Sequence, residues 1–273
     1  MDDIDRYLRE DLGTEGDITS ESLFTDEKGQ GIIIAKESCI VAGLEEAMSV
    51  FTKTGAQAAA LVQDGSRVHH QTTVLKVAGS IRSILKGERL ALNFICRMSG
   101  IATETNDLVT RCKRLNPKVT IAATRKTTPG FRKYEKKAVV LGGGDPHRFG
   151  LYDMILIKDN HIKLYGSIQE ALQRVQEKHP GDTIEIEVET QEDALVAAQM
   201  NADIIMLDNF SPVKGRCVAG KIRQINPHII IEISGGITRR NIANYADFAD
   251  RISLGSLTHS VKSKDFSLEA TPV

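Results

Sequence analysis

The second half of the chain repeats one pattern: a short run of aliphatic and β-branched residues, polar residues at its end, and then an amphipathic helix. Alternation of this kind predicts βα units around a parallel sheet. Six runs fit an open, incomplete α/β barrel better than a closed eight-stranded one. The predicted strands are Val119–Ala123, Met154–Ile157, Ile184–Val188, Asp203–Leu207, Ile229–Ile233 and Arg251–Leu254.

Helix-start signals lie between these strands. Ser167 and Glu170 have the spacing of a capping box, and Thr190 precedes a second helical segment. Ser211, followed by a proline, opens a third helix, and Thr238 is expected to cap a fourth.

The first hundred residues follow a different pattern, in which helices and strand-like segments do not alternate regularly. An acidic helix comes first, strand-like segments follow, and a helix lies near residues 44–55. We predict an α+β domain over residues 1–103 and a barrel domain over residues 104–259. The tail, residues 260–273, is expected to pack with the first domain.

The composition is that of a globular protein, with 41% hydrophobic and 26% charged residues among 273. A formal net charge of -1 argues against nucleic acid as the main partner. No apolar run reaches the length of a membrane span, and the acidic start MDDIDRYLRE is unlike a signal peptide. The four cysteines have neither disulfide-framework nor metal-site spacing. We therefore expect a cytoplasmic protein with no membrane or nucleic-acid partner.

Positive charge is concentrated in one part of the chain. Residues 125–163 contain nine Lys or Arg residues and four acidic ones. Such a local excess in a nearly neutral protein indicates a small polyanionic ligand. The segment Arg132–Lys137, whose charges have helical spacing without an apolar frame, is interpreted instead as a solvated face.

Polar or glycine-rich residues follow each predicted strand, at the sheet edge where α/β folds bind ligands. These residues, together with the segment that precedes the second strand, supply three kinds of binding group. The cations suited to carboxylates or phosphates are Arg125, Lys126, His147, Arg148 and Lys158. The two acids suited to Mg²⁺ are Glu189 and Asp208, and the backbone N–H groups suited to a phosphate belong to Ser234, Gly235, Gly236, Gly255 and Ser256.

Some of these assignments leave alternatives open. Glu187 and Glu189 share one face of their strand. Glu189 is preferred because it stands at the strand end, although the spacing to Asp208 also permits Glu187. His161 fits a strand-end cap as well as a ligand. A Schiff-base aldolase that uses Lys158 and a catalytically silent anion-binding barrel are competing functions.

Motifs along almost the whole chain form a recognisable set. They are EDLGTEGDIT (10–19), RMSGIAT (97–103), TRKTTPGFR (124–132), GGGDPHR (142–148), LIKDNH (156–161), EVE (187–189), MLDN (206–209), SGGI (234–237) and SLGSLTHS (253–260). This set resembles the quinolinate phosphoribosyltransferase family, also called nicotinate-nucleotide pyrophosphorylase (carboxylating).

The resemblance implies a type II phosphoribosyltransferase fold: an N-terminal α/β sandwich domain and an open, six-stranded parallel α/β barrel, assembled as a homodimer or a higher homo-oligomer. It implies transfer of ribose 5-phosphate from phosphoribosyl pyrophosphate to quinolinate, with loss of CO₂, which gives nicotinate mononucleotide for NAD synthesis. Mg²⁺ is expected together with phosphoribosyl pyrophosphate, and no organic cofactor is expected.

Residue roles also follow from the resemblance. Lys126, Glu189 and Asp208 are the expected catalytic residues, and the two acids would bind Mg²⁺. The residues implied to hold quinolinate are Arg125, His147, Arg148 and Lys158, with Arg97 donated across the dimer interface. Those implied to hold phosphoribosyl pyrophosphate are Ser234, Gly235, Gly236, Gly255 and Ser256.

Two relatives of the same fold are less consistent with the motifs. A molybdenum-associated homologue departs at the TRKTTPG and KDNH strings, which are intact in this chain. Nicotinate phosphoribosyltransferase accepts a monoacid, whereas the number of candidate cations favours a diacid.

Overall fold

The computed structural model describes residues 2–273. Within that range, no helix combines the length and the apolar character needed to cross a membrane. The elements up to the longest helix are α1 (Asp3–Leu12), α2 (Ile18–Leu23), β1 (Lys28–Ala35), β2 (Cys39–Ile40), α3 (Leu44–Thr54), β3 (Gln57–Ala60), β4 (Arg67–Val68), β5 (Thr73–Ser80) and α4 (Ile81–Lys113).

The second part of the chain continues with strands and helices in near alternation. Its elements are β6 (Thr120–Ala122), α5 (Arg132–Leu141), β7 (Ile155–Ile157), α6 (Asp159–Tyr165), α7 (Ile168–Lys178), β8 (Ile184–Val188), α8 (Gln191–Gln199), β9 (Ile204–Asp208), α9 (Pro212–Ile225), β10 (Ile230–Ser234), a 3₁₀ turn (Ile242–Asn244), β11 (Arg251–Ser253), α10 (Ser256–His259) and β12 (Phe266–Pro272).

The chain forms two compact units. The first contains the residues up to Asn106 together with Val140–Gly142 and Val261–Val273, and the second contains Asp107–Val139 and Gly143–Ser260. Because α4 is continuous from residue 81 to residue 113, the division falls inside a helix rather than in a loop.

The first unit is built on a four-stranded antiparallel sheet with the order β12-β1-β5-β3. The final strand β12 pairs with β1 from Gly29, opposite Pro272, to Ala35, opposite Phe266. The core of this unit includes Phe51 of α3, which is fully buried. Burial of such aromatic and aliphatic side chains is the main favourable contribution to folding.

The second unit is built on a six-stranded parallel sheet with the order β6-β11-β10-β9-β8-β7. Each strand lies within one residue of its predicted bounds at either end. Since β6 and β7 are the two edges of the sheet, it forms an open barrel, which confirms the predicted fold class. Near the free side of β6, Asp145 forms a parallel bridge with Ala122.

The predicted helix starts are confirmed at three positions. The side chains of Ser167, Thr190 and Ser211 each accept a hydrogen bond from a backbone N–H in the first turn of α7, α8 and α9. The fourth prediction is wrong, because only a 3₁₀ turn follows Thr238. The Thr238 hydroxyl donates to Asn241 Oδ1 at 3.2 Å instead of accepting from the backbone, and asparagine has low helix propensity.

Candidate active site

A cavity of about 400 Å³ lies at the carboxyl ends of the strands in the second unit. Asp208, Ser234 and Ser253 are the last residues of β9, β10 and β11, and Lys158 directly follows β7. The polar residues that line the cavity are Thr124, Arg125, Lys126, His147, Arg148, Lys158, Glu187, Asp208, Glu232, Ser234 and Ser253. The structure therefore brings the candidate cations of this unit together with Asp208 and Ser234.

Several cations are crowded together in the cavity. Burial and the nearby charge of Arg125 lower the pKa of Arg148, whose side chain is almost completely enclosed. Arg125 Nε is also buried and has no hydrogen-bond partner among residues 2–273. A buried donor without a partner is costly, so this part of the cavity is suited to accepting an anion.

Acidic side chains line the same cavity. Burial, together with the charges of Glu187 and Glu189, raises the pKa of Asp208 above its ordinary value. Glu187 lines the cavity and forms an ion pair with Lys158 Nζ. Two carboxylates that repel each other in one cavity are a suitable ligand set for a divalent cation.

Glu187, rather than the preferred Glu189, is the acidic residue of β8 that lines the cavity. Glu189 lies beyond the end of β8 and its side chain is exposed. The two residues share a face, as the period of two requires, but the pattern does not indicate how far along that face the cavity extends. The alternative left open by the spacing to Asp208 is thus the one that the geometry favours.

The glycine-rich ends of β10 and β11 border the cavity without lining it. A Cβ at Gly235, whose φ is +80°, would lie 2.6 Å from Asp208 Oδ1. A Cβ at Gly255 would lie 2.9 Å from Lys126 Cδ. Gly235 therefore requires glycine, whereas a side chain at Gly255 would displace the side chains of Lys126 and His259. The backbones of both glycines run directly beside two candidate catalytic side chains. Their neighbours Gly236 and Ser256 belong to the same two segments but do not line the cavity.

Arg97 belongs to the first unit and lines a different cavity. Its Nη1 donates to the carbonyl of Val261 at 3.1 Å. That cavity also contains the cationic side chains of Lys36, Arg89 and Lys264. This hydrogen bond of Arg97 lies within its own unit.

His161 is exposed and contributes to local structure. Its Nδ1 accepts a hydrogen bond from the backbone N–H of Lys158 at 2.9 Å, at the start of α6. The strand-end cap is therefore the alternative that the geometry favours for this histidine.

His147 lines the cavity but directs its ring toward buried acids that the sequence reasoning missed. His147 Nε2 lies 3.4 Å from Glu185 Oε2 and 3.4 Å from Glu232 Oε1. His147 Nδ1 accepts a hydrogen bond from the backbone N–H of Arg148 at 2.8 Å. A metal on Nε2 would require a proton on Nδ1, where this contact leaves no room for one. Nε2 therefore carries a proton that faces the two carboxyl groups, and although burial opposes it, Glu185 and Glu232 raise the pKa of His147 to about 9.

The pKa values of the two buried acids shift in opposite directions. Burial raises the pKa of Glu185 above its ordinary value. Despite burial, the pKa of Glu232 is lowered by His147 and then by Arg251, whose Nη1 lies 3.1 Å from Glu232 Oε2. The only sequence signal for these acids was their position on the inward face of β8 and β10.

The interpretation of Arg132–Lys137 as a solvated face is wrong. Glu135 is fully buried and Lys136 is 1% exposed, both within α5. The polar residues of this helix turn inward because the loops that they contact offer backbone groups in place of water. Charge spacing alone does not reveal such partners.

The fold and the cavity define an open α/β-barrel protein whose site is built for acidic and phosphorylated small molecules. The models of the quinolinate phosphoribosyl transferase N-terminal and C-terminal domains match residues 17–99 and 101–269. The chain therefore belongs to the quinolinate phosphoribosyltransferase family.

Individual relatives extend this similarity over nearly the full chain. A probable nicotinate-nucleotide pyrophosphorylase [carboxylating] of Methanocaldococcus jannaschii is 43% identical, over 97% of this chain and 94% of the relative. A probable nicotinate-nucleotide pyrophosphorylase [carboxylating] of Bacillus subtilis is 42% identical, over 98% of this chain and 92% of the relative. The solved nicotinate-nucleotide pyrophosphorylase from Francisella tularensis is 36% identical and superimposes with a TM-score of 0.92, covering 98% of this chain and 94% of that structure.

Burial of Lys136 gives a testable pH dependence of stability. Burial, assisted by the charge of Arg132, lowers its pKa from 10.5 to about 8. Below pH 8 the folded protein carries the cost of a buried charge, and between pH 8 and 10.5 only the unfolded chain keeps the proton. The free energy of unfolding of the wild type, relative to Lys136→Met, should therefore rise across this window by up to about 3 kcal/mol.

Urea unfolding at several pH values would measure this difference. Groups other than Lys136 cancel in the comparison of the two proteins. A difference that stayed flat from pH 8 to 10.5 would mean that Lys136 keeps its ordinary pKa.

Proposed function

We propose that this chain transfers ribose 5-phosphate from phosphoribosyl pyrophosphate to quinolinate, releasing pyrophosphate and CO₂ and forming nicotinate mononucleotide for NAD synthesis. The observation that carries the proposal is a single cavity that brings several cations together with the Glu187–Asp208 pair. The relatives named above carry the same activity in their names.

Quinolinate would bind to the cations of the cavity. Its two adjacent carboxylates match Arg125, Arg148 and Lys158, and Arg125 Nε is the buried donor that a carboxylate would satisfy. His147 lines the same part of the cavity. Fixing both carboxylates would aim the ring nitrogen at the sugar and would hold the reacting atoms in one orientation.

Phosphoribosyl pyrophosphate would bind beside the two acids and at the glycine-rich edge. Lys126 would face the pyrophosphate group. The backbone N–H groups of Ser234–Gly236 and Gly255–Ser256 would hold the 5-phosphate, which suits the way barrels bind phosphates at this edge.

Glu187 and Asp208 fit a divalent cation, since each is a hard oxygen donor and the charge of one raises the pKa of the other. Mg²⁺ bound there would neutralise charge on the departing pyrophosphate. The same carboxylates face the side of the cavity where the sugar would develop positive charge.

The reaction needs little acid–base chemistry from the protein. The ring nitrogen forms a bond to the anomeric carbon as the bond to pyrophosphate breaks. As the bond to the 2-carboxylate breaks and CO₂ leaves, the positive pyridinium nitrogen stabilises the electron pair that remains on C2, and C2 then takes up a proton from water. The cations of the cavity therefore act by binding, orientation and charge stabilisation.

We also propose that the protein is a cytoplasmic homodimer in which Arg97 of each subunit serves the cavity of the other. Its four cysteines are free, which suits a reducing compartment. Arg97 lies in a cationic cavity of its own unit, apart from the residues that line the candidate active site.

The first test is a mass-spectrometric product assay with quinolinate, phosphoribosyl pyrophosphate and Mg²⁺. We expect nicotinate mononucleotide and one CO₂ per turnover, and a loss on the order of 100-fold or more in Asp208→Ala. Nicotinate as the acceptor should react at least about 100-fold more slowly, because it leaves one set of cations unpaired. Equal use of nicotinate, or no product from either acceptor, would contradict the proposal.

The two acids of β8 can be distinguished by matched variants. Glu187→Gln should lower kcat/KM by about 100-fold and weaken the apparent affinity for Mg²⁺, since it removes a charged ligand from the cavity. Glu189→Gln should change both quantities less than about threefold, because this side chain is exposed. The reverse order of effects would restore Glu189 as the ligand.

Subunit complementation tests the donation of Arg97. Arg97→Ala and Asp208→Ala should each be nearly inactive as homodimers. In a mixed dimer, one of the two sites would combine an intact Asp208 with an intact Arg97 from the partner. Co-expression should therefore recover about a quarter of wild-type activity. No recovery in purified mixed dimers would show that Arg97 acts in its own subunit or not at all.

A further inference from the structure

Helix α5 has an inward polar face that the proposed reaction does not use. Arg132, Glu135 and Lys136 stand at positions i, i+3 and i+4, which places them on one side of the helix. None of the three lines the candidate active site. Glu135 and Lys136 are nevertheless buried, and charged groups are rarely buried without specific partners.

Glu135 holds the loop after β6. Its two carboxylate oxygens accept hydrogen bonds from the backbone N–H and the hydroxyl of Thr128, each at 3.0 Å. Thr128 closes the same short loop that presents Arg125 and Lys126 to the cavity. The carboxylate therefore fixes the far end of the loop that carries two cations.

Lys136 holds the other cation-bearing segment. Its Nζ donates to the carbonyl of Pro146 and, at 2.9 Å, to the carbonyl of Arg148. These carbonyls flank His147, whose backbone φ of +53° lies in the left-handed region that residues other than glycine rarely adopt. Such a conformation persists only where its surroundings enforce it, and Lys136 supplies contacts on both sides.

Arg132 connects the two segments. Its Nε donates to Thr127 Oγ1 at 2.9 Å, and its Nη1 donates to the carbonyl of Phe149 at 3.1 Å. Thr127 belongs to the loop after β6, and Phe149 follows directly on Arg148. One guanidinium thus spans both cation-bearing segments.

We propose that this inward face of α5, formed by Arg132, Glu135 and Lys136, positions the two segments that carry the cations of the cavity and thereby sets the spacing at which a diacid is bound. The inference rests on the proposed function, since it assigns the spacing to the two carboxylates of the acceptor. The three residues are positioning residues, because each acts through a loop and none reaches the cavity.

Lys136→Met tests the proposal most directly, because it keeps the length and apolar part of the side chain and removes its donors. We expect the KM for quinolinate to rise at least about tenfold, while the KM for phosphoribosyl pyrophosphate stays within about twofold. Lys133→Met is the matched control, since Lys133 lies on the same helix with an exposed side chain and should leave both constants unchanged.

Glu135 allows a rescue experiment. Glu135→Leu removes both acceptors from Thr128 and should weaken quinolinate binding, whereas Glu135→Gln keeps one acceptor and should restore most of it. Should Lys136→Met not fold, Arg132→Met replaces it, because this side chain is half-buried and contacts both segments.

Calorimetric titration with quinolinate and with benzene-1,2-dicarboxylate separates this inference from the proposed function. A wild type that binds both diacids but forms no product would contradict the function alone. Wild-type turnover with unchanged diacid binding in folded Lys136→Met would overturn the positioning role. A purely structural role predicts a lower melting temperature with normal affinity in the folded fraction. No diacid binding by the wild type would overturn both.

Discussion

Repulsion between like charges is the constraint on which this structure depends. The carboxyl edge of one open parallel sheet places several cations and two acids in one cavity of about 400 Å³. The strain is visible in the lowered pKa of Arg148, which burial and Arg125 cause, and in the raised pKa of Asp208, which burial and Glu187 cause. A site that is costly to assemble in this way is preorganised for ligands that carry the opposite charges.

The fold supports this arrangement by holding backbone segments rather than by neutralising the charges directly. The loop after β6 is held by Glu135, and the segment around His147 is held by Lys136 and, through the imidazole, by the buried acids Glu185 and Glu232. Glu135 and Lys136 do not line the cavity, so their contacts do not compete with a ligand for its cations. The cost of burying these two residues is partly offset by hydrogen bonds of charged groups, which are stronger than neutral ones.

The sequence predicted those features of the fold and of the site that depend on hydrophobic periodicity and on the residues at strand ends. The six parallel strands, their open arrangement and the presence of Arg125, Lys158 and Asp208 at one edge all follow from short apolar runs that end in polar residues. The depth of the cavity cannot be read from these runs. The sequence pattern placed Glu187 and Glu189 on one face of the strand, but it could not show which of the two lines the cavity. The inward direction of polar side chains does not follow either. Lys136 is enclosed because the segment around His147 offers it two backbone carbonyls, and these lie 10 and 12 residues further along the chain, outside the helix period.

The ion pair between Lys158 and Glu187 links the cations and the acids of the cavity. Each residue is the other's counter-ion here, and under the proposed function each also has an external partner of opposite charge, a substrate carboxylate for Lys158 and a divalent cation for Glu187. Exchanging one internal pair for two external ones increases the number of opposite-charge contacts without adding a charge to the protein. The cavity is therefore closest to electrostatic balance when the acidic acceptor and the metal-bound donor are present together, which is the condition that a transfer between them requires.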